Sequence, residues 1–147
     1  MSQYIARVAL PIRRPVSEVF NAFVEPTTLT RFWLQSASGP LSEGATVEWH
    51  FMVPGATDTV TVLEFQLNHR LVLRWSDGSS VSMEFTEYSA GETLVSIATS
   101  SLEQDEIETI VGTTEGFSLV LCDLKTLLES GRSANLGSEV QWNGKPG

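Results

Sequence analysis

His50, His69 and Cys122 are the only imidazole and thiol side chains in the chain. A metal site built from such groups draws them from closely spaced pairs, and none of the three has a partner at that spacing, so no metal is expected. His69 falls at a turn tip and His50 on a water-facing side, where both read as exposed surface histidines. Nucleophilic chemistry has as little to work with. The sequence contains no nucleophile elbow, and no set of nucleophile, histidine and acid can be brought together. Gly112 and Gly116 lie inside a helical segment rather than in a phosphate-cradling loop. Cys122 sits in the apolar stretch of that helix and reads as a small buried side chain rather than a reactive thiol. No catalytic residue and no cofactor is therefore expected. What remains is recognition. The chain has 4 tryptophans in 147 residues, and Trp33, Trp49 and Trp75 fall on faces that can point inward, as an apolar pocket requires.

Those rings must be positioned by a sheet and a long helix. Residues 3–12 alternate, with Ile5, Val8 and Leu10 between Tyr4, Arg7 and Ala9, and read as a strand ended by Pro11 and the Arg13-Arg14-Pro15 corner. Pro15 suits the first position of a helix, which runs to about Val24 with Val16, Val19, Phe20 and Phe23 on one face. Pro26 stops it, and Thr27 or Thr28 can cap a second short helix carrying Leu29, Phe32 and Trp33. A loop rich in Ser, Gly and Pro spans residues 36–44.

Strands follow over residues 46–52, 57–68, 70–75, 80–88 and 93–101, separated by Pro54-Gly55, Asn68-His69, Asp77-Gly78 and Ala90-Gly91. Val47, Trp49 and Phe51 share a face, as do Leu71, Leu73 and Trp75, and again Val81, Met83 and Phe85. Glu48, His50, Arg70, Arg74, Ser82 and Glu84 take the water-facing side. A register slip of one residue would bring Arg74 inside and argue for an acidic ligand. Val60 and Val62 are out of phase with Leu63, Phe65 and Leu67, and a bulge near Val62-Leu63 would restore the phase and bend the sheet. The final helix, residues 105–130, carries a wide apolar stripe that includes Ile107, Ile110, Val111, Phe117, Leu121 and Leu124, and stops at Gly131.

Bulk properties bound the partners. The chain has 18 acidic and 9 basic residues and a net charge of −9, which disfavours phosphate backbones and anionic lipid, so no nucleic acid and no membrane is expected. A lone cysteine excludes an internal disulfide and fits a reducing compartment. The N-terminus runs directly into an alternating segment, so no signal peptide is expected. No apolar run approaches the roughly 18 residues needed to span a bilayer. These features together predict a cytoplasmic protein with a single domain over residues 1–136 and a polar tail over residues 137–147.

Several strings in this order resemble one known family. Pro15-Val16-Ser17-Glu18-Val19-Phe20-Asn21-Ala22-Phe23 is similar to its opening helix, and Leu29 with Phe32-Trp33 to the end of its second. Arg70-Leu71-Val72-Leu73-Arg74-Trp75 resembles its arginine-to-tryptophan strand, and the run from Glu115 to Gly131 its terminal helix. The family is the SRPBCC superfamily of START and birch-pollen-allergen proteins. The nearest branch is named after activators of the heat-shock protein 90 ATPase. The resemblance implies an α+β helix-grip fold: a curved antiparallel sheet of about six strands wrapped around a long C-terminal helix, with two short helices after the first strand. It also implies a cavity between helix and sheet for a small apolar or amphipathic ligand. Some superfamily members are cyclases, dehydratases or hydroxylase domains, so a cyclase- or hydrolase-type enzyme using cavity residues is one alternative. The branch name implies another, a co-chaperone-like partner of heat-shock protein 90. A homodimer is compatible with an edge strand near the N-terminus.

On this reading the ligand-binding wall is Trp33, Trp49, Phe51, Trp75, Met83 and Phe85. Phe117 completes it from the helix, and Thr99, Thr113, Thr114 and Ser118 are the polar groups that could orient a ligand. The two helix glycines cost about 1 kcal/mol each relative to alanine. Either the backbone comes close to the sheet there, or small side chains leave room for a ligand.

Overall fold

The computed structural model describes residues 5–53, 55–100 and 107–132, and only the backbone of Ile5 and of residues 107–110. The expectations for residues 3–4, 54, 101, 105–106 and the tail over 137–147 lie outside the described residues.

Alternating apolar residues make β1 (Ile5–Ile12), and the Arg13-Arg14-Pro15 corner turns the chain into α1 (Val16–Ala22). Pro15 is the cap of α1 rather than its first residue: its backbone is extended (φ −61°, ψ 151°), and its carbonyl accepts from the amides of Glu18 and Val19. The amide of Val16, left over at the helix start, donates to a carboxylate oxygen of Glu87 at 2.8 Å. α1 stops at Ala22, earlier than its apolar spacing suggests. Pro26 does not merely end that helix. It opens α2 (Pro26–Phe32), where a fixed φ and a missing amide suit the first position, so neither Thr27 nor Thr28 is the cap.

The segment expected to be loop from residue 36 contains a short strand, β2 (Leu34–Ala37), paired with β3 (Thr46–Phe51). Its composition gives no strand signal; pairing with β3 makes it one. β4 (Thr57–Gln66), β5 (Arg70–Arg74), β6 (Ser80–Ser89) and β7 (Glu92–Ser100) follow, and the long helix α3 is Ile107–Ser130. The sheet is antiparallel throughout and seven-stranded, in the order β1-β7-β6-β5-β4-β3-β2. β2 is thus both the strand beyond the six expected and one edge of the sheet.

The sheet bends where the phase conflict predicts. Val62 pairs with Leu73 and Glu64 with Val72, so Leu63 is the extra residue of a bulge. Leu63 is accordingly exposed, while Val60 and Val62 face the core. The Asp77-Gly78 hairpin also forms: Gly78 takes φ 93°, and Asp77 Oδ1 accepts from the amide and hydroxyl of Ser79. α3 packs along β1 and against α2, and the sheet curls around it as an α+β helix grip. Gly131, at φ 81°, ends the helix with its amide on the carbonyl of Leu127.

Two expectations for α3 need correction. Val120, Leu121, Leu124 and Leu127 are buried, but Val111 is 60% exposed although it lies on the apolar stripe. Cys122 is exposed rather than buried. It lies about a hundred degrees round the helix from Leu121, away from the face that meets β1. Among the described residues no helix is long and apolar enough to cross a membrane.

Candidate ligand-binding site

Each ring of the aromatic group has its own reason for its place. Trp33 caps the C-terminus of α2 in a non-helical conformation, its amide on the carbonyl of Leu29. Trp49 and Phe51 project from one face of β3 by simple alternation. Trp75 follows β5 and closes the hairpin, its amide on the carbonyl of Ser79 at 2.9 Å. Phe117 comes from α3.

The rings meet edge to face. Trp33 lies 5.1 Å from Trp49 and 5.7 Å from Phe117 between centroids, and Trp49 lies 5.9 Å from Trp75 and 6.2 Å from Phe51. Trp49 has no exposed surface and Trp33 almost none, whereas Phe51, Trp75 and Phe117 are half-buried. The indole Nε1 of Trp49 is enclosed without a hydrogen-bond partner. An indole nitrogen can only donate, and a buried unmade bond costs about 1–3 kcal/mol. The hydroxyl of Thr99 is the other such atom among the described residues. It is on the same face of the sheet but four strands away from β3, on β7.

Of the other expected wall residues, Met83 and Phe85 are buried, and Phe85 meets Phe20 and Phe23 at 5.1 and 5.7 Å, in a phenylalanine cluster. Thr113 and Thr114 are half-buried on α3. The Ser118 hydroxyl donates to the carbonyl of Thr114 at 2.8 Å, which occupies its proton within the helix. Gly112 decides one open question: a Cβ there would meet nothing within 4 Å, so the backbone does not press on the sheet at that point.

The charged groups of the strands are mostly on the outer face, as alternation predicts. Arg74 is exposed and the one-residue slip is not realised, since Arg74 pairs with Ser80 and Thr61. Arg70 bonds Glu64 at 2.7 Å and Glu84 at 2.5 Å; its hydrogen bond to Glu64 above all holds the guanidinium above its ordinary pKa. His50 lies 3.4 Å from Glu48, and His69 is exposed at its turn. The outer face also has a shallow hollow of about 320 Å³ between β1, β7 and β6, floored by Ala9, Ser82, Ser96 and Ala98 with Arg7 and Glu84 at its rim. No group of three or more potential metal ligands occurs among the described residues.

The sequence reading places no titratable group on the inward face, and two are there, Asp58 half-buried and Asp123 fully buried. Asp58 stands directly opposite Trp49 in the β3–β4 register, hence on the same face. Its Oδ1 accepts from the amides of Thr59 at 2.7 Å and Ser76 at 3.2 Å, strapping β4 to the turn after Trp75. The parity of Val60 and Val62 gives Asp58 the same face, a signal available before the structure. Asp123 is fully buried on α3. Only the helix phase it shares with Val120 and Leu127 hints at that.

Solved structures share this architecture at low identity. A protein from Staphylococcus saprophyticus, SSP2350, is 23% identical with a TM-score of 0.80, covering 90% of this chain and 96% of that one. The Aha1 dimer from Colwellia psychrerythraea is 17% identical with a TM-score of 0.79, covering 88% and 99%. DynU16, from the dynemicin biosynthetic locus, is 22% identical with a TM-score of 0.78; the match covers 88% of this chain and 48% of DynU16. No curated protein matches the sequence. The family model described as activator of Hsp90 ATPase homolog 1-like protein matches residues 13–129, from the corner before α1 to the last turn of α3. The chain therefore belongs to that family, and with it to the SRPBCC superfamily.

Proposed function

We propose that the protein binds a small apolar or amphipathic molecule between the sheet and α3, at the cluster of Trp33, Trp49, Phe51, Trp75 and Phe117, with no chemistry of its own. One observation carries this reading: the indole N–H of Trp49 is fully enclosed among aromatic rings and bonded to nothing. Buried polar atoms in proteins are nearly always satisfied, and a lone exception in a ring-lined site marks a place for a ligand atom. The open space at Gly112 and the exposed Val111 support an approach along the N-terminal half of α3. A catalytic reading has less support, since Arg74, His50 and Glu48 are on the outer face and Asp58 Oδ1 is tied to two backbone amides.

Native mass spectrometry of protein purified without denaturation tests this. A stoichiometric extra mass, or a thermal shift with members of a lipid and aromatic library, is the expected result. An apo mass together with no shift across the library overturns the reading.

The family match favours a second reading, a co-chaperone-like contact with heat-shock protein 90. Its test is stimulation of the chaperone's ATPase and a pull-down, and two blanks remove it. The solved Aha1 dimer supports self-association, which light scattering measures. The acidic balance and the unpaired Cys122 fit a cytoplasmic setting, and the family match fits one domain over residues 1–136.

A further inference from the structure

We infer that the ligand is an uncharged aromatic molecule bearing an oxygen acceptor, and that the Trp49 indole N–H is the donor that selects it. This deepens the binding proposal above and rests on it. Three observations combine. First, an indole offers a proton and no lone pair, so the missing partner of Trp49 Nε1 must be an acceptor. Second, the rings around it (Trp33, Phe51 and Trp75 at centroid distances of 5.1–6.2 Å) offer flat apolar faces and edges, which favour an aromatic body for offset or edge-to-face contact. Third, Asp58 sits opposite Trp49 on the same face of the sheet, in a chain of net charge −9. A carboxylate or phosphate brought to Trp49 would face that half-buried acid, so the acceptor is a neutral oxygen such as a ketone or an ether.

Access is local. Phe51 and Trp75, in contact with Trp49, are both half-buried and border solvent, so the enclosed indole lies one ring from the surface. Ligands without oxygen gain the stacking but leave the N–H unpaired. Discrimination then follows from the hydrogen bond alone and amounts to roughly three- to tenfold in affinity.

The test is a titration of ¹⁵N-labelled protein, followed by the indole N–H resonances. The probes are 2-acetonaphthone, its oxygen-free isostere 2-isopropenylnaphthalene, and the anion 2-naphthoate. The ketone is expected to bind several-fold tighter than the hydrocarbon, to move the Trp49 resonance downfield, and to bind tighter than the naphthoate. In Trp49→Phe the preference for the ketone over the hydrocarbon should disappear. Equal binding of ketone and hydrocarbon to the unaltered protein overturns the inference and leaves the binding proposal standing. So does tighter binding of the naphthoate. Silence of all the indole resonances with all three probes overturns the inference, and the binding proposal falls with it only where the native mass is apo and the library gives no thermal shift. The resonance of Trp49 in the unaltered protein decides the matter even if Trp49→Phe does not fold.

Discussion

Among the described residues there are two aromatic clusters, joined at Trp33, and they are built on different terms. Phe20, Phe23, Phe32 and Phe85 lie between α1, α2 and β6, each at most 3% exposed, with ring centroids 5.1–5.7 Å apart where they touch. None of these rings carries a polar atom, so complete burial leaves nothing unsatisfied. The other cluster uses three indoles, leaves Phe51, Trp75 and Phe117 half open, and encloses an N–H that bonds nothing. A phenylalanine at position 49 would bury without that penalty. The first cluster is what a core needs in order to be stable, whereas the second leaves a buried donor unmet. That difference is the physical ground for seeking function at the tryptophan end.

The sharpest way to break the comparison is to truncate one ring at each end. Phe23 touches Phe32, Trp33 and Phe85 and is fully enclosed, so Phe23→Ala should cost about 3–5 kcal/mol and lower Tm by roughly 10–16 °C. Phe117 touches Trp33 from a half-buried position, and Phe117→Ala should cost only roughly 1–2 kcal/mol while weakening ligand binding. Urea melts of the two variants measure the contrast. Equal losses would mean that both clusters are ordinary core.

How much of this contrast could be read from the chain depends on the kind of signal. Alternation put Trp49, Phe51 and Trp75 on one face, and the phase break at Val62-Leu63 located the bulge, because a strand has only two faces and errors of parity show at once. Helix faces were harder. Cys122 reads as inward and is exposed, because an apolar stretch does not by itself say which residues meet the sheet. β2 is not legible because its pairing with β3 is tertiary, and Asp58 because a carboxylate in a strand reads as surface. The division into two clusters was equally out of reach: Phe85 and Trp75 share a face in sequence, and only the curl of the sheet sends them to different neighbours.

Gly112 sharpens the comparison in the opposite direction. A methyl group there meets nothing within 4 Å and the residue is helical, so Gly112→Ala should raise stability by up to about 1 kcal/mol. The same methyl group intrudes on the open space beside α3, so affinity for the naphthyl ketone should fall. A variant that is more stable and binds equally well would detach the N-terminal half of α3 from the site.

The smallest expected effect concerns what holds the helix at its other end. Glu129 accepts from the amide of Arg13 and from Lys125, each at 2.7 Å, and Lys125 also reaches the carbonyl of Pro11, so the last turn of α3 is clasped to the end of β1. Burial pushes the Glu129 carboxyl up, but the bonds from Lys125 and Arg13 outweigh it and hold its pKa below the ordinary 4.5. A folded value below the unfolded one means that the clasp contributes fully above about pH 4.5 and is lost as pH falls through the folded value. Because the pair is near the surface, the contribution is well under 1 kcal/mol at neutral pH. Glu129→Gln should therefore lower Tm slightly at pH 7, and the gap to the unaltered protein should close on the acid side. Ligand affinity should not change, since Glu129 lies in the last turn of α3 and Trp49 on β3. A gap that persists undiminished into acid would show that the contact is steric rather than ionic. A change in affinity would show that the two ends of the helix are coupled, and that the contrast between them is one of degree.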